Sequence, residues 1–157
     1  MENKICFLFG HGTISEDVTS QIEMTAQRYH IYYGIDTFIV GGRGDFDRYA
    51  SSAIKSLKRR YDDICLLYLL SYHPAERPVE LSDGFDGSFY PPLEGVPRRY
   101  AIVRANRYMV AHADGIICYV NHIGNSRDLL ELARQRQRRD GIPIENLGTY
   151  CSDGIKM

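Results

Sequence analysis

The chain has no tryptophan and only four cysteines in 157 residues. Cys6, Cys65, Cys118 and Cys151 stand far apart with no Cys-x-x-Cys pair, so the ligand spacing of a structural zinc site is missing. Cys6, Cys65 and Cys118 sit inside apolar runs, where a cysteine behaves as a small buried hydrophobe. A reducing cytoplasm is the expected setting. Charge of either sign is not in excess: the formal net charge is −1, so bulk electrostatics predicts no attraction to nucleic acid or an anionic membrane. Long hydrophobic runs are missing too. The first, Ile5 to Phe9, is too short for a signal h-region or a membrane span. Neither a Gly-x4-Gly-Lys-Ser/Thr loop nor a Gly-x-Ser-x-Gly elbow occurs, which argues against a P-loop enzyme and a serine hydrolase. There is no internal repeat, linker or low-complexity stretch.

What is present suits one globular domain over residues 1–157. The apolar fraction is 44 % and the charged fraction 25 %, ordinary for a folded domain with a real core. Ile5 to Phe9 reads as a strand buried on both faces. Ser15 reads as the N-cap of a first helix striped by Val18, Ile22, Thr25 and Ala26. Thr37 to Val40 is a second strand and Phe46 to Arg60 a second helix. Ile64 to Leu70 is a third strand. Residues 71–97 hold five of the six prolines and three glycines, and read as a long excursion without much regular structure. Arg99 to Ala113 is a third helix, with Ile102, Val103, Met109 and Val110 facing inward. Gly115 to Val120 is a fourth strand, and Ser126 caps a fourth helix that packs through Leu129, Leu130, Leu132 and Ala133. Ile144 to Tyr150 adds a short last strand.

This alternation predicts an α/β fold: a single Rossmann-like, doubly wound, mostly parallel sheet of about five strands, order 3-2-1-4-5, with helices on both faces. Ligands of such sheets bind at the carboxyl ends of the strands. Three loops leave those ends with suitable chemistry. The most informative is Gly41-Gly42-Arg43-Gly44 between the second strand and second helix, where glycine lets a ligand approach the backbone and a helix N-terminus favours an anion. It lies in the loop Gly41 to Asp47, and the others are Gly10 to Ser15 and Asn121 to Ser126.

These residues carry a family resemblance. Phe9-Gly10-His11, Val40-Gly41-Gly42-x-Gly44-x-Phe46-Asp47, and Arg104-x-Asn106-Arg107-x-Met109 leading to Ala113-Asp114 and Gly124 follow in order over roughly residues 5 to 135. In this the chain resembles the SLOG superfamily, named for SMF/DprA proteins and the LOG "lysine decarboxylase-like" phosphoribohydrolases, and within it the small bacterial DUF1273/YpsA-like proteins. The resemblance implies a Rossmann-like fold and a nucleotide or nucleotide-derived ligand. It departs at the LOG catalytic pattern: the arginine position falls on Ala105 and the glutamate position on Arg127. Arg104 and Asp128 are one residue away, and such a shift turns a helical side chain by about 100°.

The expected ligand-binding residues are Gly10, His11, Gly41, Gly42, Gly44, Asp45, Asn106, Arg107, Gly124, Asn125 and Ser126, with Arg104 and Asp128 as candidate catalytic groups. Asp45 also reads as the cap of the second helix, and a carboxylate there suits ribose hydroxyls better than phosphate. The spacing of His11, His73 and His122 calls for no metal, and no resident cofactor is expected. The partner is a nucleotide-like small molecule, bound by a sensor or carrier. Two other readings remain: a nucleoside-monophosphate N-glycosidic hydrolase, and a homo-oligomeric interaction module with a vestigial pocket.

Overall fold

The computed structural model describes residues 3–76 and 78–148. Its strands are β1 (Ile5–Gly10), β2 (Thr37–Val40), β3 (Cys65–Leu69), β4 (Gly87–Phe89), β5 (Gly115–Tyr119) and β6 (Ile144–Asn146). The helices are α1 (Thr19–Tyr33), α2 (Asp45–Lys58), α3 (Arg98–His112) and α4 (Asn125–Asp140). All six strands run parallel in the order β4-β3-β2-β1-β5-β6. The five strands read from the sequence therefore lie in the expected order, and β4 extends one edge. The chain builds outward from β1 to β4, then crosses to β5 on the other side of β1. The direction of winding reverses between β1 and β5, and a crevice opens there at the strands' carboxyl ends.

Strand residues alternate between two cores, because successive side chains of a strand point to opposite faces. Cys6, Leu8, Phe38, Val40 and Leu66 face α1 and α2, where Ile22, Ala26, Ala50, Ile54 and Leu57 are buried. Phe7, Phe9, Ile39, Ile116 and Cys118 face α3 and α4, where Met109, Val110, Leu129, Leu130 and Ala133 are buried. Each fully buried large side chain contributes roughly 1.5–3 kcal/mol, so double-sided burial explains why β1, β2 and β5 read as unbroken apolar runs.

Several local expectations are corrected. α1 starts at Thr19, not beside Ser15. The Asp17 carboxylate accepts hydrogen bonds from the Thr19 N–H (2.9 Å) and hydroxyl (2.6 Å). The preceding loop is tied instead to α2, since Ile14 N–H donates to Asp45 (3.1 Å) and Asp45 N–H donates to the Gly12 carbonyl (2.8 Å). The 71–97 excursion has little regular structure, as expected, with the three-residue strand Gly87–Phe89 pairing with Leu67–Leu69. On α3, Ile102 and Val103 are both 40 % exposed, and Ala101 and Ala105 take the inner face with Met109 and Val110. Gly124, not Ser126, is the N-cap of α4, which places Ser126 in the first turn. The final strand covers Ile144–Asn146, and Tyr150 lies outside the described residues.

Candidate functional site

The three loops meet at one cleft of about 190 Å³ at the switch point. Gly10, His11 and Gly12 form one rim. Gly41, Arg43, Gly44 and Asp47 form the second, and Asn125 and Ser126 at the start of α4 the third. α3 closes the cleft with Ile102, Ala105 and Asn106, and Leu69 to Ser71 lie along the end of β3. Seven of the expected ligand-binding residues are thus brought together: Gly10, His11, Gly41, Gly44, Asn106, Asn125 and Ser126.

The others stand elsewhere. Gly42 borders a second cleft across the glycine turn. Arg107 and Asp128 line a small depression of about 70 Å³ between α3 and α4. Gly124 lines none of the three cavities; its φ of 155° belongs to the backbone region that favours glycine. Asp45 and Arg104 line none either. Asp45 is not the cap of α2, which is Gly44. Its carboxylate is held by Ile14 N–H and by the Arg48 guanidinium at 3.0 Å, contacts that also lower its pKa.

The glycine turn is shaped by its own packing. A Cβ on Gly44 would lie 2.6 Å from Gly12 Cα, so this glycine is required where the two loops cross. A Cβ on Gly10 would strike the Phe46 ring at 2.6 Å. Asp47 turns back to accept the Arg43 N–H at 2.9 Å. Burial pushes the Asp47 carboxyl above its ordinary pKa, opposed by that hydrogen bond and by the Arg43 charge. The first turn of α2 therefore carries two carboxylates, which oppose an anion at that helix end.

The first turn of α4 carries one carboxylate, Asp128, which lines the depression between α3 and α4 and not the cleft. Gly124 supplies no side-chain cap, and no hydrogen bond from the N–H groups of Asn125, Ser126 or Arg127 is formed among the described residues. Such orphan donors at a helix N-terminus favour an acceptor or an anion. Arg43 faces the same cleft. Its guanidinium donates to Ser71 Oγ at 3.1 Å and pairs with no carboxylate among the described residues. Arg43 and Ser71 did not emerge from the sequence as site residues. Arg43 stood inside the glycine motif, but Ser71 reaches the cleft only through the sheet order.

His11 is only 6 % exposed. Its Nε2 accepts the Asn121 N–H at 3.0 Å, which leaves the proton of the neutral ring on Nδ1. Its ring stacks on His122, and burial followed by the charge of His122 lowers its pKa. No group of three or more His, Cys, Asp or Glu side chains is arranged to hold a metal among the described residues.

Of the LOG-type catalytic positions, Ala105 lines the cleft but is an alanine, 1 % exposed. Arg127 lies outside the cleft and pairs with Glu131 at 3.6 Å. Neither Arg104 nor Asp128 replaces them inside the cleft.

No family model and no curated protein matches the chain. Solved structures do. The molybdenum cofactor binding protein of the phototrophic bacterium Rippkaea orientalis aligns with a TM-score of 0.56 and 17 % identity, over 92 % of this chain and 76 % of that one. The Chlamydomonas Moco carrier protein aligns with a TM-score of 0.49 and 11 % identity, over 94 % and 77 %. The first of these likenesses defines the class of fold, a Rossmann-like α/β domain. No helix among the described residues is long and apolar enough to cross a membrane.

Proposed function

We propose that this chain binds a small phosphate-bearing ligand, a nucleotide or nucleotide-derived cofactor, as a carrier or sensor of the SLOG kind. One observation carries the reading: the N-terminus of α4, which has no side-chain cap, the buried His11, and Arg43, which has no carboxylate partner among the described residues, meet at one cleft on the topological switch point. The phosphate sits against the first N–H groups of α4 and the Arg43 guanidinium, with Ser126, Asn125 and Asn106 supplying further hydrogen bonds. The fold likeness to a protein described as binding the molybdenum cofactor supports a small cofactor as ligand. Binding is favoured over glycosidic hydrolysis because alanine occupies the cleft position where the LOG pattern has arginine.

A thermal-shift screen with mononucleotides, dinucleotides, cyclic nucleotides and ribose 5-phosphate tests this reading. A ligand at a hundred times its Kd stabilises the fold by roughly 2.7 kcal/mol, a readily measured rise in Tm. Phosphorylated compounds are expected to raise Tm and their unphosphorylated nucleosides to do so far less. No shift with any phosphorylated compound at millimolar concentration would sink the proposal.

A further inference from the structure

The cleft beside α4 stops at the glycine turn, and a second cleft of about 650 Å³ begins on the turn's other side. The two share Gly41, Arg43, Gly44 and Asp47, so they are neighbouring lobes with the turn as their waist. Sites for drug-sized ligands typically enclose roughly 300–1,000 Å³. The first lobe alone is smaller than that, whereas the second falls inside the range.

The lobes differ in chemistry. The first offers a guanidinium, amides and a helix N-terminus, all suited to an anion. The second has an aromatic floor, where Tyr68 meets Phe85 edge-on with ring centroids 5.8 Å apart. Arg48, Ser51, Ser52 and Lys55 border it at i, i+3, i+4 and i+7 along α2, and Glu80 brings a carboxylate from the facing loop. Apart from Arg43 at the shared waist, its cations are already engaged. Arg48 pairs with Asp45 at 3.0 Å, and the Lys55 ammonium lies 5.0 Å from the centre of the Phe85 ring and 2.9 Å from Ser82 Oγ. Rings, hydroxyls and a carboxylate suit a flat heteroaromatic group with hydrogen-bonding edges. Asp47 stands at the waist, where an acceptor repels phosphate and suits sugar hydroxyls.

We infer that the second cleft is a ring-binding subsite: the ligand spans the turn, with its phosphate at Arg43 and α4, its hydroxyl-bearing linker at Asp47, and its heteroaromatic ring against Tyr68 and Phe85. This rests on the reading of the first cleft as the phosphate site. The reverse orientation would bring a phosphate towards Glu80 and towards Arg48 and Lys55, which already have partners, and away from the start of α4.

Calorimetric titration of the intact chain with ribose 5-phosphate, AMP, GMP, CMP and UMP tests it. Stacking of a base on an aromatic side chain is worth on the order of tenfold in affinity or more. At least one nucleotide is therefore expected to bind about tenfold tighter than ribose 5-phosphate. Ser52→Trp, which fills the lobe from an exposed helix position, is expected to remove that advantage and leave ribose 5-phosphate unchanged. Phe85→Ala should do the same, with circular dichroism to check its fold. Asp47→Asn should narrow the preference for a ribonucleotide over its 2′,3′-dideoxy analogue. If nucleotides bind no tighter than ribose 5-phosphate, or their advantage survives Ser52→Trp, the ring subsite is wrong while the phosphate site stands. If neither ribose 5-phosphate nor any nucleotide binds, the phosphate site falls and the subsite with it.

Discussion

The imidazole of His11 lies flat against that of His122, with ring centroids 3.6 Å apart and planes within 10° of parallel. Two protonated rings cannot keep that contact, and the hydrogen bond from Asn121 N–H requires an unprotonated His11 Nε2. The folded protein thus holds His11 neutral, with its pKa below the ordinary 6.5 through burial and the charge of His122. As pH falls below about 6.5 the unfolded chain takes up a proton that the folded chain refuses, so stability falls with it. The loss is complete below the lowered folded pKa. Urea midpoints at pH 7.5 and pH 5.5 should therefore fall towards acid in the parent, and fall less in His11→Gln. An equal fall in both proteins would remove His11 as the cause.

Gly44 and Gly42 make different demands although they are neighbours in one motif. Gly44→Ala places a Cβ 2.6 Å from Gly12 Cα and 2.8 Å from its carbonyl oxygen, both backbone atoms that cannot swing aside. Overpacking of this kind costs roughly 1–3 kcal/mol. At Gly42 the new Cβ would meet the Tyr68 hydroxyl at 2.5 Å, the outer end of a side chain. Gly42→Ala should therefore cost less stability and displace the Tyr68 ring. Urea denaturation ranks the two variants, and the reverse ranking would contradict this account of the turn.

Much of the fold was legible because four strands, β1, β2, β3 and β5, announced themselves as apolar runs between turn signals. β4 was not. Gly87, Ser88 and Phe89 have no apolar pattern, and they form a strand only because β3 offers an open edge. The start of α1 departs from the local sequence for a related reason: Ser15-Glu16-Asp17 has the composition of a helix start, but α1 begins at Thr19 and the loop before it is tied to α2 by the bond from Ile14 to Asp45. At the site, Gly10, His11, Asn125 and Ser126 could be expected from loops at strand ends. The engagement of Asp45 by the facing loop could not, because it depends on how closely two loops cross. Ile102 reads as core by its type, yet it is exposed and forms a wall of the cleft.

Glycosidic cleavage provides a separate test. The cleft presents Ala105 where the LOG pattern has arginine, and Arg127 lies outside it. Loss of one well-placed catalytic group commonly costs orders of magnitude in rate. Incubation with AMP, GMP, CMP or UMP is expected to release no base above the uncatalysed background, read by chromatography. Robust release abolished by Arg104→Ala and Asp128→Asn would show that these displaced groups do the chemistry.

The core that positions the site can be tested through Ile54, fully buried between α2 and the sheet. Ile54→Ala should destabilise the fold by about 2–5 kcal/mol, read from the urea midpoint. A change under about 1 kcal/mol would contradict the packing described for that face.

The central claim is that a phosphate binds at the start of α4 beside Arg43. Amide chemical shifts of the 15N-labelled protein, recorded as ribose 5-phosphate is added, test it most directly. The account predicts that the largest shifts fall on Asn125, Ser126 and Arg127, with smaller ones at Gly10 to Gly12, and that Arg43→Ala weakens them. Saturable shifts centred on any other part of the fold, or none at millimolar ligand, would contradict it.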